Sequence, residues 1–311
     1  RVAQTIPIVP VESVRLSLMI AQSHPLLRLF AGTILVAALF GSERCAATEI
    51  YVDNRVGSDT YDGASSDVTG LRFGPVKTIG RALQKARQGD TIIVANRGVP
   101  YYEQLSINGR NNSGFGEAQF TIVGNGAIVS GARLVPPTAW KAVVADLWRF
   151  VPHRKGHFQL ILDDKPVPEM VVARGAKVLP KIPTGQWAAW RGAIYFQAAR
   201  VESPSERAFA FAEGDVGLTL AEVHDVVVVG LTFRHFRLDG VSAHSQCRNV
   251  VLKNVSSTGN GRAGLFVGET SRVEALKCTL TGNRLHNVLV RGRHSALHTE
   301  PKLSEPPTFI D

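Results

Sequence analysis

Cysteine is scarce in this chain, with three residues in 311, at positions 45, 247 and 278. Thiols so few and so spaced build neither a disulfide framework nor a zinc-type Cys/His site. Long apolar runs are missing as well. The stretch LFAGTILVAALF, residues 29–40, reaches only 12 residues, short of the roughly 20 that a membrane span needs. A phosphate-cradling glycine loop and a nucleophile elbow are both absent. These absences set aside small disulfide-stapled folds, P-loop enzymes and α/β-hydrolases. Hydrophobic residues make up 44% of the chain, enough for a sizeable core.

What is present is a repeat. The stretch NVVLKNVSSTGNGRAGLFVG (249–268) superposes on RVEALKCTLTGNRLHNVLVRG (272–292) with a shift of 23, and VVVVGLTFRHFRLDGVSAH (226–244) on the first with a shift of 24. Three consecutive copies, each of short strands without helical period, mark a solenoid. Within the unit, Val226, Val250 and Val273 form one column and Val228, Leu252 and Ala275 another, two residues on, which is the alternation of a strand. Gly230 and Asn254 follow that strand and suit a left-handed corner; Lys277 breaks the pattern in the third copy. A second strand starts at Leu231, Val255 or Cys278, so Cys278 fills an inward column as a buried free thiol. A loop bearing Asn260 and Asn283 follows, and then a third strand in which Val241, Leu265 and Val288 stack, as do Ala243, Val267 and Val290. Identical faces stacking coil on coil at roughly 4.8 Å give an all-β fold, a parallel β-helix. The two asparagines form a ladder in which each side chain bonds the next coil.

The remaining segments divide by composition. Residues 1–18, ahead of the first methionine, read as an over-extended start, and residues 19–47 as a secretory signal peptide: a basic start, an apolar middle and a small-residue exit at Ala47. Removal of residues 1–47 takes away four Arg and two Glu and leaves 31 basic against 24 acidic residues, a balance of +7. An exported basic protein favours anionic partners, which points outside the cytoplasm: secreted, periplasmic or cell surface. No stable membrane span after signal cleavage and no nucleic-acid partner are expected. Residues 48–131 form an N-terminal cap and the first coils. There Thr78 caps a short helix with Ile79, Leu83 and Ala86 on one face, a lid for the open solenoid end. Residues 132–220 do not follow the coil period and hold all four tryptophans; they read as an antiparallel β insertion. Residues 221–292 are the repeats and 293–311 a polar tail.

The order Tyr51-Val52, Gly57-Ser58-Asp59, Asp62-Gly63, Gly74-Pro75, Lys77-Thr78-Ile79, Ala82-Leu83, Gly89-Asp90-Thr91-Ile92 and Tyr102-Glu103 resembles the N-terminal module of secreted right-handed parallel β-helix proteins of the pectin-lyase-like superfamily. The resemblance covers about residues 50–131 and 220–292. It departs at VTGLRF (68–73) and at Val99-Pro100. It implies a polysaccharide lying across the face of the strand that follows the long loop. On that face stand Ser242, His244, Phe266, Leu289 and Arg291 by alternation, with Arg237, Asp239, Arg262, Arg284 and His286 at the strand entries.

A lyase acting on a uronate needs a base for the C5 proton and a cation for the carboxylate. Asp239, His286, Arg291 and His244 are the candidate catalytic residues. Arg237, Arg262, Arg284 and Phe266 are candidates for substrate binding. Trp187 and Trp190, beside Gly192 in a loop-like stretch, are the candidate sugar-stacking pair. A Ca²⁺ site would need clustered acids, and only Asp239 and Glu269 stand on this face, so no cofactor is expected. A hydrolase would need facing carboxylates, and the polygalacturonase motifs Asn-Thr-Asp, Gly-His-Gly and Arg-Ile-Lys are absent. The expected function is binding of an extracellular, anionic polysaccharide, with lyase-like β-elimination ahead of hydrolysis if the chain is an enzyme. The rival expectation is a non-catalytic surface or envelope β-helix protein with a binding or structural role.

Overall fold

The computed structural model describes residues 47–115, 117–300 and 305–310. The segments read from the sequence as an over-extended start and, but for Ala47, a signal peptide lie outside the described residues. No helix among those described is long and apolar enough to cross a membrane.

Three parallel sheets wind the chain into a right-handed parallel β-helix with a short capping helix and a β-rich insertion. The first sheet has seven strands in the order Glu49–Val52, Thr91–Val94, Phe120–Val123, His224–Val229, Arg248–Lys253, Arg272–Leu276 and Ala296–Glu300. The second has four: Ile128–Ser130, Thr232–Arg234, Ser256–Thr258 and Thr279–Thr281. The third has six: Leu105–Asn108, Val216–Ala221, Asp239–His244, Ala263–Gly268, His286–Arg291 and Thr308–Ile310.

The columns fall where alternation puts them. Phe120, Val226, Val250 and Val273 are register partners in sequence, as are Leu105, Leu218, Val241, Leu265 and Val288, and all are buried in one continuous core. Burying each such side chain contributes about 1.5–3 kcal/mol. The corner after the first-sheet strand is left-handed in all three repeats: φ is +64° at Gly230, +52° at Asn254 and +53° at Lys277. Lys277 adopts it despite its Cβ because its N–H bonds the Glu300 carbonyl of the next coil, as the Asn254 N–H bonds Leu276 at 2.9 Å. Stacking thus offsets a local cost of about 1–2 kcal/mol. Helix α1, Ile79–Lys85, is capped by Thr78, whose hydroxyl accepts from the Arg81 N–H at 3.1 Å, and buries Ile79, Ala82 and Leu83 against the first coils.

The insertion leaves the coil between Ser130 and Val216 and builds two antiparallel four-stranded sheets. One is Lys165–Pro166, Leu160–Leu162, Phe209–Ala212 and Ala132–Leu134; the other is Trp187–Trp190, Ala193–Gln197, Leu147–Phe150 and Lys141–Val144. It is shorter than its sequence suggested, because Val216–Ala221 pairs in parallel with Leu105–Asn108 and Asp239–His244 as a regular coil strand. The segment after Arg291 likewise continues the winding, adding Ala296–Glu300 and Thr308–Ile310 to two sheets. The aromatic core of the insertion, built on Trp140, Phe150, Trp187, Phe196, Phe209 and Phe211, is separate from the coil core. Entry and exit meet at a waist, where the N–H groups of Glu213 and Gly214 both donate to the Gly131 carbonyl, at 2.9 and 3.0 Å. A Cβ on Gly131 would lie 2.5 Å from Phe236, so only glycine passes there.

Candidate functional site

The outer face of the third sheet presents the residues singled out from the sequence in the expected register. Asp239, Ala263 and His286 share one rung position on three successive coils, and Gly268 pairs with Arg291 on the strand after His244. Their side chains are not brought together. The Asp239 carboxylate is fully buried, 0% exposed, against Arg262, whose Nε lies 2.9 Å from Oδ1. The hydrogen bond that Arg262 donates to Asp239 raises the guanidinium pKa and outweighs the opposing effect of burial. The same guanidinium stacks over Phe266, 4.9 Å from the ring centroid, which occupies one face of that ring. Arg237 donates to Asp215 at 2.7 Å and to the carbonyls of Lys155 and Gly156. Arg284 binds both oxygens of Glu169, at 2.6 and 2.9 Å. His286 bonds Thr308 and His244 bonds Ser245, through Nδ1 at 3.1 and 2.9 Å. Arg291 is exposed.

This face is therefore largely a docking surface for the insertion. Asp215, Lys155 and Gly156 from its base and Glu169 from its outer part engage the arginine row, and His157 sits among Arg237, Arg262 and Arg284. Burial and those three cations depress its pKa.

The expected sugar platform is overturned. Trp187 is 2% exposed in the insertion core, with Nε1 bonded to the Val167 carbonyl at 2.9 Å. Trp190 packs edge-on to Tyr195, has Arg191 stacked 4.3 Å above it and belongs to a second small cluster. The Gly192 stretch that suggested a loop is a tight hairpin turn, with φ +47° at Arg191 and +73° at Gly192, and both tryptophans stand on its strand.

A concave site lies elsewhere, between the insertion and the early coils, as a cleft of about 980 Å³. In the first insertion sheet, Phe209, Phe211 and Leu160 point into the aromatic core. The alternate positions Leu134, Ala210 and Ile161, side by side in register, face the cleft. The small side chains of Ala132 and Ala210, with Gly98 and Gly131, keep it open. Tyr102, 66% exposed, and Leu134, 65% exposed, supply apolar surface to it.

A charged rim surrounds this floor. Arg133 holds both oxygens of Glu213 at 2.8 and 3.0 Å, and His153 Nε2 lies 3.3 Å from the same carboxylate while staying 61% exposed. Arg154 binds Asp215 at 2.5 Å. Burial pushes the Asp215 carboxyl up, but Arg237 and Arg154 outweigh it and hold it below the ordinary range. Glu103 is pushed up by burial, against the N–H groups of Gly80 and Ile79 that it accepts from. Asp163 and Asp164, with φ of +49° and +63°, form the two-residue turn of the hairpin joining Leu160–Leu162 to Lys165–Pro166. Asp164 reaches across to Arg234 and to His235, 3.7 Å from Nδ1. His235 is 3% exposed, its Nδ1 has no hydrogen-bond partner, and burial followed by Arg234 lowers its pKa to about 4.

Sequence reasoning missed Arg133, His153, Glu213 and the Leu134, Ala210 and Ile161 floor, because the strands that carry or precede them pair across gaps of many residues with no period to follow. The one available signal was the strand alternation of Phe209 and Phe211 with alanines 208, 210 and 212. Among the described residues no group of three His, Cys, Asp or Glu side chains is placed to hold a metal ion.

The sequence matches no protein-family model and no curated protein. Two solved structures share its fold. One, the complex of XylC with xylose, aligns over 81% of this chain at 13% identity with a TM-score of 0.54; this chain spans 58% of that one. The other, a glycoside hydrolase, aligns over 78% of this chain and 67% of its own at 14% identity, with a TM-score of 0.55. At such identities the likeness is one of fold.

Proposed function

We propose that this chain binds an extracellular polysaccharide and that the cleft between the insertion and the early coils is its binding site. One observation carries the reading: an open cleft of about 980 Å³ with exposed apolar surface from Tyr102 and Leu134 and with hydrogen-bond donors and acceptors, among them Arg133 and Glu213, in its lining. Sugar rings offer that combination, an apolar face with hydroxyls around its edge. The fold is shared with a structure holding xylose and with a glycoside hydrolase, which supports a sugar ligand. The apolar run within residues 29–40 supports export.

Cleavage by β-elimination needs a base, and His153 is the exposed imidazole of the cleft. Hydrolysis needs two carboxylates, for which Glu213 and the Asp163-Asp164 turn line the same space. A non-catalytic role is favoured by the strand face, where Asp239, Arg237, Arg262 and Arg284 are all engaged in ion pairs.

The test is calorimetric titration of the purified protein with a panel of neutral, uronic and sulfated glycans, followed by assays for unsaturated uronate absorbance and new reducing ends. Binding lost in Ala210→Phe, which fills the cleft, supports the assignment. Unsaturated products lost in His153→Ala establish a lyase, and reducing ends alone point to Glu213. Binding without products establishes the non-catalytic role. A folded protein that binds no glycan, or binds one unchanged in Ala210→Phe, overturns the assignment.

A further inference from the structure

The chain as a whole carries an excess of nine positive charges, yet the cleft does not share it. Its lining holds three guanidinium groups, Arg133, Arg154 and Arg234, against four carboxyls, Glu103, Asp163, Asp164 and Glu213. If Glu103 is set aside because it accepts from the N–H groups of Ile79 and Gly80, the count is even. Each guanidinium is also already matched: Arg133 to Glu213, Arg154 to Asp215 and Arg234 to Asp164. A ligand carboxylate or sulfate entering here would find no unmatched cation. It would have to displace a resident carboxylate or add its charge beside one, and like charges brought together at an interface are strongly disfavoured. A sugar hydroxyl meets no such obstacle, since the ion pairs still offer N–H donors and carboxylate acceptors to a neutral partner.

Resting on the reading of the cleft as the glycan site, we infer that it takes an uncharged stretch of polysaccharide and discriminates against uronate and sulfated sugars, with the Arg133–Glu213 pair as the discriminating element. The selectivity is a difference of affinities produced by a repulsive element as much as by attraction. The positive charge of the chain lies outside the cleft and acts on long-range approach, not on which sugar is seated.

The experiment titrates the full chain with length-matched neutral oligosaccharides of glucan, mannan and xylan type and with oligogalacturonate and oligomannuronate, at low salt. Every uronate is expected to bind at least about tenfold more weakly than the best neutral ligand. In Glu213→Gln, which frees Arg133, uronate affinity rises about three- to tenfold, and the ratio of uronate to neutral affinity rises with it. Asp164→Asn, freeing Arg234, is the second variant should the first fail to fold, and the same shift is expected. Uronate binding as tight as neutral binding in the native protein, or uronate affinity unmoved in a folded variant, overturns the inference. Absence of binding to either class by the folded protein defeats instead the assignment of the cleft as a glycan site, and this inference with it.

Discussion

Asp239 and Arg262 stand on adjacent coils, and the carboxylate of the first is entirely sealed by the guanidinium of the second, with Nε 2.9 Å from Oδ1. A carboxylate so held is a structural anchor, unavailable as a base or nucleophile. Removing one partner of such a pair leaves an uncompensated charge.

Replacement Asp239→Ala is therefore expected to destabilise the fold by about 2–3 kcal/mol, less than for a fully buried pair because Arg262 keeps a third of its side chain in solvent. Urea unfolding measures this. Glycan affinity of the folded variant stays unchanged, because neither residue lines the cleft.

Asn260 is the centre of the turn ladder. Its Oδ1 accepts from the Phe236 N–H at 3.0 Å, and its Nδ2 donates to Asn283 Oδ1 at 2.9 Å and to Ser257 Oγ at 3.1 Å. Asn260→Ala strands these buried groups and costs about 2–3 kcal/mol. Asn283→Ala costs less, since Asn283 is only half-buried. Equal midpoints for the two variants in chemical denaturation would contradict the ladder.

Tyr102 presents an exposed ring to the cleft. Tyr102→Ala is expected to weaken glycan binding about three- to tenfold, the range of a single aromatic contact, with unfolding free energy shifted by under about 0.5 kcal/mol. Calorimetry and thermal melts report the two effects separately.

The buried His235 makes stability depend on pH with a definite sign. Its folded pKa of about 4 lies below the unfolded 6.5, so between these values the unfolded chain binds the extra proton. The stabilisation is complete above pH 6.5 and is lost as pH falls toward 4, by up to about 3 kcal/mol. His235→Asn, suited to the local φ of +62°, should flatten this dependence relative to the native chain in urea unfolding at pH 7 and pH 5. An identical slope would show that the imidazole is not held neutral.

The coil was legible because a stacked fold repeats its physics. Val226, Val250 and Val273 face inward for one reason, and writing it three times makes it visible. The left-handed corner at Lys277 was less so, because a hydrogen bond to Glu300 in the next coil, not the residue's own preference, holds it. Alternation assigned the outward side of the third sheet correctly but could not say what covers it. Glu169 on Arg284 joins positions 115 residues apart, and no local pattern announces such a contact. Trp187 was misread because a hairpin turn at Arg191-Gly192 has the composition of a loop, whereas the strand before it buries its aromatic ring among Phe196 and Phe209.

The waist at Gly131 and Gly214 has a consequence for the chain's history and its engineering. The eighty-odd residues between Gly131 and Gly214 leave and rejoin the solenoid at adjoining points, so a short turn could bridge the gap and the winding would continue from Ser130 into Val216 undisturbed. The insertion is in that sense a cassette: a part that gene rearrangement could exchange as a unit, carrying one wall of the cleft with it while the scaffold stays the same.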